Sequence, residues 1–200
     1  MDLLLNKTSP YARLVLTVAH ELGIAERIRC VWVDPWTETA RLAELNPLAK
    51  IPTLVTPAGA SLVESDYIVQ YLLDLVDDRR LVPGDGELRA QMLYRQGLAK
   101  GMMDCAFGVT IRRRFGDPED SFLTRRWLDA LPRSVAALEA ATRARTPGLE
   151  PDLGDVTTAV ALSYCDLRIP ALAWRAQAPT LAARVDRLAQ RASLVATAHA

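Results

Sequence analysis

The chain has 200 residues, half of them hydrophobic and 24% charged, and its 24 basic residues balance 24 acidic ones. That length holds one large domain or two small ones with ample core, and the composition is ordinary for a globular protein. The neutral balance supplies no global field to recruit nucleic acid or an anionic membrane, and no segment approaches the roughly 20 uninterrupted apolar residues of a membrane span.

The first seven residues lack the basic and long apolar regions of a secretory signal. Cys30, Cys105 and Cys165 are far apart and form no Cys/His cluster. This argues against structural disulfides and zinc, and fits a cytoplasmic address. His20 and His199 are the only histidines, which leaves almost nothing for His-based catalysis or metal ligation, so no metal is expected.

In chain order, residues 2–6 read as a short apolar strand ended by the turn-like Asn6-Lys7-Thr8-Ser9-Pro10. Ser9 as N-cap with Pro10 at the first helical position is a strong start signal. Tyr11, Leu14, Val15, Val18 and Leu22 then recur at helical spacing, and Gly23 is a natural stop. Residues 28–33 alternate as a strand, and a short helix over 38–45 is broken by Asn46-Pro47. Residues 53–56 and 61–63 pair across Pro57-Ala58-Gly59-Ala60 as a hairpin, and 66–77 form an amphipathic helix.

The order βαβ, helix, ββ, helix implies a parallel strand pair with a right-handed crossover, extended by an antiparallel hairpin. Residues 79–86 read as a polar linker between a domain over 1–78 and one over 87–200. Beyond it strand signals nearly vanish. Helical patterns run through 87–113, 119–145, 154–176 and 180–190, and Pro132 should kink the second. The second half is therefore expected to be a helical bundle.

The chemistry-bearing stretch is Lys50-Ile51-Pro52-Thr53-Leu54-Val55 with Glu64-Ser65 a hairpin later. Proline is tolerable only at a strand end or edge, because it cannot donate to the ladder. If Ile51-Pro52 is cis, the N–H and C=O of Ile51 turn outward, available to an extended small peptide. Ser65 reads as the N-cap of the next helix, whose unpaired N–H groups and positive dipole end suit a carboxylate.

Together these residues resemble the glutathione S-transferase family. The resemblance covers essentially the whole chain and rests on Ser9-Pro10-Tyr11-Ala12-Arg13, Asn46-Pro47-Leu48-Ala49-Lys50-Ile51-Pro52, Glu64-Ser65 and Asp152-Leu153-Gly154-Asp155-Val156. It implies a thioredoxin-like N-terminal domain, a linker and an all-α C-terminal domain. It also implies reduced glutathione as co-substrate. Ile51 would pair its backbone with the cysteinyl unit, Glu64 would hold the α-amino group, Ser65 would take the γ-glutamyl carboxylate, and Lys50 could neutralise the glycyl carboxylate.

A free thiol is mostly protonated at neutral pH, and a helix N-terminus with a hydroxyl donor favours the thiolate. Ser9 is the candidate donor, with Thr8 and Tyr11 as nearby alternatives; the competing role for Ser9 is that of a plain N-cap. Where glutaredoxin-like relatives carry Cys-Pro-Tyr-Cys, this chain has Ser9-Pro10-Tyr11-Ala12, which speaks against dithiol exchange. The resemblance places an acceptor site along the first C-terminal helix, with Tyr11, Met103, Phe107 and Arg112 as candidates; core packing is the competing role for each.

Asp152 and Asp155 match the family's N-capping box, with Asp152 in place of the usual hydroxyl residue. On capping alone, Asp155→Ala is expected to cost about 1 kcal/mol or somewhat more. Two function classes remain. One is a cytosolic glutathione transferase acting on a small electrophile, with isomerase and peroxidase variants using the same site. The other is a binding protein of the same fold with little turnover, working through protein contacts like the family's transcription-associated members. The family is typically dimeric, so a homodimer is expected.

Overall fold

The computed structural model describes residues 1–116, 121–146 and 148–198, so His199 lies outside the described residues. Met1–Arg79 with the segment from Arg191 form one compact unit, and Arg80–Gln190 form another.

In the first unit, β1 (Asp2–Leu5), α1 (Pro10–Glu21), β2 (Arg29–Trp32), α2 (Thr39–Leu45), β3 (Thr53–Val55), β4 (Ser61–Val63) and α3 (Ser65–Val76) follow in chain order. A single 3-10 turn over Ala25–Arg27 links α1 to β2. The sheet order is β2-β1-β3-β4, with β1 parallel to β2 and antiparallel to β3, and β3–β4 an antiparallel hairpin. Strand alternation divides the core between the two faces of the sheet. Leu4 packs with Val33 and Leu42, backed by Leu45, Ala49, Ile51 and Val55. Leu3 and Leu5 point the other way and are also buried. The helices α1 and α3 pack on each other and bury Leu14, Val15, Val18, Ile68, Val69 and Leu72.

The same unit contains an element that the sequence pattern does not announce. Helix α9 (Ala192–Ala196) lies against α1, where Arg13, Thr17 and Glu21 recur every four residues and form a polar stripe. Arg13 Nη2 donates to the Leu194 carbonyl at 3.4 Å, and Thr17 and Thr197 share a 2.8 Å hydroxyl pair. The Glu21 carboxylate accepts from Arg191 Nε at 2.8 Å and Nη2 at 2.6 Å.

The second unit holds α4 (Gly86–Arg114), α5 (Phe122–Ala144), α6 (Leu153–Arg168), α7 (Trp174–Gln177) and α8 (Pro179–Leu188). Asp85 caps α4 by accepting from the Leu88 amide at 2.9 Å. Pro132 sits exposed inside α5, which stays helical through it. The helix expected over 154–176 instead stops at Arg168 and gives way to a 3-10 turn at Pro170–Leu172 before α7. Pro170 is the cause, since it lacks an N–H and pushes the preceding residue out of the α region. Helix α6 packs chiefly on α4 and is buried along most of its length. Gly154 permits the close approach: a Cβ there would lie 2.7 Å from the Met92 carbonyl oxygen.

The start of α6 is a reciprocal capping box. Asp152 Oδ1 accepts from the Asp155 amide at 3.0 Å, and Asp155 Oδ2 accepts from the Asp152 amide at 3.1 Å. Three arginines join it. Arg95 and Arg145 both donate to Asp152 Oδ2, at 2.5 and 2.6 Å. Arg184 is bidentate on Asp155, at 2.9 and 2.6 Å, and Arg145 lies 3.2 Å from the same carboxylate. The sequence indicates the box; the arginines come from three other places in the chain.

Candidate functional site

Register within the sheet places one end of the first unit. Leu4 of β1 lies beside Thr53 of β3, and Thr53 beside Val63 of β4. One rung therefore marks where β1 departs toward Ser9, where Ile51-Pro52 enters β3, and where β4 departs toward Glu64-Ser65. The three segments singled out in the sequence share this edge because β3 runs against both neighbours.

The Ile51-Pro52 peptide is cis. Sheet pairing begins only at Thr53, and neither the N–H nor the C=O of Ile51 has a hydrogen-bond partner among the described residues. The approach to this bond is stapled by Asn46, which is buried. Its Nδ2 donates to the Lys50 carbonyl and to Thr53 Oγ1, both at 3.0 Å, while its Oδ1 accepts from the Leu48 amide at 3.0 Å. Thr53 Oγ1 in turn donates to the Lys50 carbonyl at 2.9 Å. Asn46 and Thr53 thus set the backbone at Ile51. The sequence pattern marks Asn46 only as a helix breaker, although a short amide side chain just before proline is itself a turn-closing signal. Lys50 is exposed.

At the next segment the structure shifts the expected cap by one residue. Ser65 is the first helical residue of α3, and the cap position belongs to Glu64, whose side chain makes no capping bond. The difference is chemical as well as formal. Ser65 does not spend its oxygen on its own helix; it is 2% exposed and its Oγ has no hydrogen-bond partner. A buried hydroxyl without a partner is costly and points to a missing one. Glu64 is exposed and has a φ of 65°, in the left-handed region that non-glycine residues seldom occupy. Such strain clusters at binding sites.

Ser9 caps α1, accepting from the Ala12 amide at 3.2 Å, and is 9% exposed. A hydroxyl has two acceptor lone pairs and one proton, so capping leaves the Ser9 O–H able to donate to a further group. One turn on, Arg13 is buried, and burial lowers its pKa.

The four acceptor candidates occupy different environments. Tyr11 is half-buried beside Ser9, and Phe107 is 39% exposed on α4. Arg112 stacks over the Trp127 ring, 5.7 Å from its centroid. Met103 is fully buried, as a core side chain would be. Cys30 and Cys105 are half-buried and Cys165 is buried; desolvation pushes the Cys165 thiol up to about 12, so it is inert as a nucleophile. Among the described residues no group of three or more His, Cys, Asp or Glu could hold a metal ion, and no helix is long and apolar enough to cross a membrane.

Residues 8–75 match the family model described as glutathione S-transferase, N-terminal domain. A glutathione transferase family member from Pseudomonas fluorescens Pf-5, solved with bound glutathione, is 32% identical over all of this chain and 98% of its own, with a TM-score of 0.88. This chain belongs to the glutathione S-transferase family. A glutathione S-transferase from Methylobacterium radiotolerans, solved with glutathione sulfonate, superposes with a TM-score of 0.90 at 30% identity over all of this chain and 95% of its own. The uncharacterized GST-like protein YibF of Escherichia coli K12 is 27% identical over 98% of each chain. The expected fold class is therefore correct: a thioredoxin-like βαβ–ββ sheet unit followed by an all-helical one.

Proposed function

We propose that this glutathione S-transferase family member binds reduced glutathione at the Ile51, Glu64 and Ser65 edge and uses Ser9 to hold its sulfur as thiolate for attack on a small electrophile. The observation that carries the reading is Ser65, a buried hydroxyl with no partner in the first turn of a twelve-residue helix. A carboxylate there would receive the O–H and the unpaired amides of the helix start, at the positive end of the dipole. The Ile51 N–H and C=O would pair with the cysteinyl backbone, Glu64 would meet the α-amino group, and Lys50 the glycyl carboxylate. Solved relatives carrying glutathione or its sulfonate support the ligand.

With the tripeptide so held, its sulfur is presented to the N-terminus of α1. The Ser9 O–H donates to the thiolate while Ser9 Oγ keeps the Ala12 amide. The thiol proton leaves to solvent, the sulfur lone pair forms the new C–S bond, and the leaving group departs with its electron pair. Tyr11, Phe107 and Arg112 are the acceptor-side candidates that reach solvent. Isomerisation or peroxide reduction would begin from the same thiolate.

Ser9→Ala is the direct test. Conjugation of a chlorodinitrobenzene should lose about 10- to 100-fold in kcat/KM, the worth of a hydrogen bond to a charged group. The rising limb of its pH profile should move to higher pH, because the thiolate loses its donor. Unchanged kcat/KM with a stability loss of about 1 kcal/mol would make Ser9 a cap alone. Glutathione binding with wild-type conjugation no faster than the uncatalysed reaction would instead favour the second reading, a cytoplasmic glutathione-binding protein with little turnover, whose supporting observation is the Ser9–Ala12 capping bond. A detoxifying role follows only from the first. In either role we propose a homodimer, so sedimentation should give twice the chain's 22.0 kDa; a single 22.0 kDa species would refute it.

A further inference from the structure

Asn46 and Thr53 are polar and buried, and neither belongs to the set of groups that would meet glutathione. Asn46 ends α2, its amide bonded to the Leu42 carbonyl at 2.8 Å. Thr53 opens β3, between Leu4 of β1 and Val63 of β4. We propose, resting on the glutathione reading above, that these two are positioning residues for the thiol peptide. They hold the Lys50 carbonyl and so aim the Ile51 N–H at the ligand's cysteinyl carbonyl, without touching the ligand themselves.

The Lys50 C=O and the Ile51 N–H belong to one planar, trans peptide unit, in which they point in opposite directions. Whatever fixes the oxygen therefore fixes the direction of the N–H. The oxygen accepts from Asn46 Nδ2 at 3.0 Å and from Thr53 Oγ1 at 2.9 Å, which uses both of its lone pairs. Asn46 Nδ2 also donates to Thr53 Oγ1 at 3.0 Å, closing the three bonds into a ring. Rotating the peptide plane would break two of them at once.

The turn before Ile51 needs such a hold. Ala49 has a φ of 48°, in the left-handed region that residues with a Cβ seldom occupy. Such a conformation persists only where the surroundings over-determine it. Here the Asn46 carbonyl accepts from the Ala49 amide at 2.7 Å, and Asn46 Oδ1 accepts from the Leu48 amide at 3.0 Å. One asparagine thus bonds to Leu48, Ala49, Lys50 and Thr53.

The sheet itself has no use for the Thr53 hydroxyl. Valine has a similar volume and favours a strand at least as well. Among the described residues Thr53 Oγ1 bonds only to Asn46 and Lys50. The hydroxyl is spent entirely on the segment that carries Ile51, and it ties that segment to an inner strand of the sheet. An N–H already aimed by the fold spares the ligand the cost of ordering it.

Calorimetric titration of glutathione into the full chain separates positioning from packing when wild type, Thr53→Val and Thr53→Ser are compared, each well below its own melting temperature. Valine keeps the bulk and loses the hydroxyl. Serine keeps the hydroxyl and loses a methyl group from a buried site, which lowers stability. Thr53→Val should weaken binding roughly 3- to 12-fold, the worth of one neutral hydrogen bond. Thr53→Ser should bind like wild type although its melting temperature falls. If the valine variant does not fold, Asn46→Ala removes the other donor and should weaken binding in the same way. Wild-type affinity in Thr53→Val, or equal weakening in Thr53→Val and Thr53→Ser, overturns the proposal and leaves the glutathione reading standing. A wild-type chain that binds no glutathione overturns both.

Discussion

Asp155→Ala will cost the folded protein about 3–5 kcal/mol, the range for breaking a buried ion pair, instead of the ~1 kcal/mol of a lost cap. The Asp155 side chain is 4% exposed. Its two oxygens accept from Arg184 Nε and Nη2 and from the Asp152 amide, with Arg145 Nη2 3.2 Å away. Alanine removes all of these at once and leaves two buried guanidiniums with one carboxylate between them. Denaturant titration with an unchanged slope measures the loss; a value near 1 kcal/mol would mean that the arginines add nothing.

The pH dependence has a definite sign. Burial acts to raise the Asp155 pKa, but hydrogen bonds from Arg184, the nearby Arg184 and Arg145 charges and the Asp152 amide outweigh it, so the folded value lies below the ordinary 3.8. A depressed carboxyl pKa stabilises the folded state at pH values above the unfolded pKa, and the benefit disappears as pH falls through the folded value. The gap between wild type and Asp155→Ala should therefore be full at neutral pH and begin to close below about pH 4. A gap that stayed constant into strong acid would show that the carboxylate charge is not what matters.

Ser65→Ala should have opposite effects on binding and on stability. A hydroxyl donating to a charged ligand contributes about 1.5–3 kcal/mol, so glutathione affinity should fall roughly 10- to 150-fold by calorimetry. In the free protein the same substitution deletes a buried hydroxyl that has no partner, an arrangement that itself costs about 1–3 kcal/mol. The melting temperature should accordingly stay level or rise. Weakened binding together with a lower melting temperature would instead mark Ser65 as a packing residue, and unchanged affinity would remove it from the site.

Much of the fold is legible locally. Ser9-Pro10 marks the start of α1 because cap and first-turn chemistry are properties of adjacent residues. Asp152 and Asp155 indicate their box because both partners lie within one turn. The alternating and helical patterns of the first 76 residues give the element order, with ends displaced by a residue or so. One such displacement carries meaning: the sequence reads Ser65 as a cap, whereas α3 begins one residue earlier and leaves its hydroxyl free of the helix.

The features that escape local pattern involve partners distant in the chain or conformations that no spacing encodes. The α1 stripe of Arg13, Thr17 and Glu21 looks like a polar interruption until residues 191–197 are seen against it. The break at Pro170 escapes the pattern because helical spacing continues through it while the backbone cannot.

From the sequence alone come the two-part order of elements, the poverty in histidine that leaves little for metal-centred chemistry, and the residues at the edge that resembles a glutathione site. These depend on spacing of a few residues, where the chain's own geometry does the selecting. The tertiary structure alone decided that Ile51 presents an unpaired backbone, that Asn46 and Thr53 hold it, and that the Ser65 hydroxyl is buried without a partner. It also decided that three arginines share two aspartates. Burial and charge balance are set by which distant segments meet, and a hydrogen bond across 57 or 29 positions leaves no local trace for spacing to reveal.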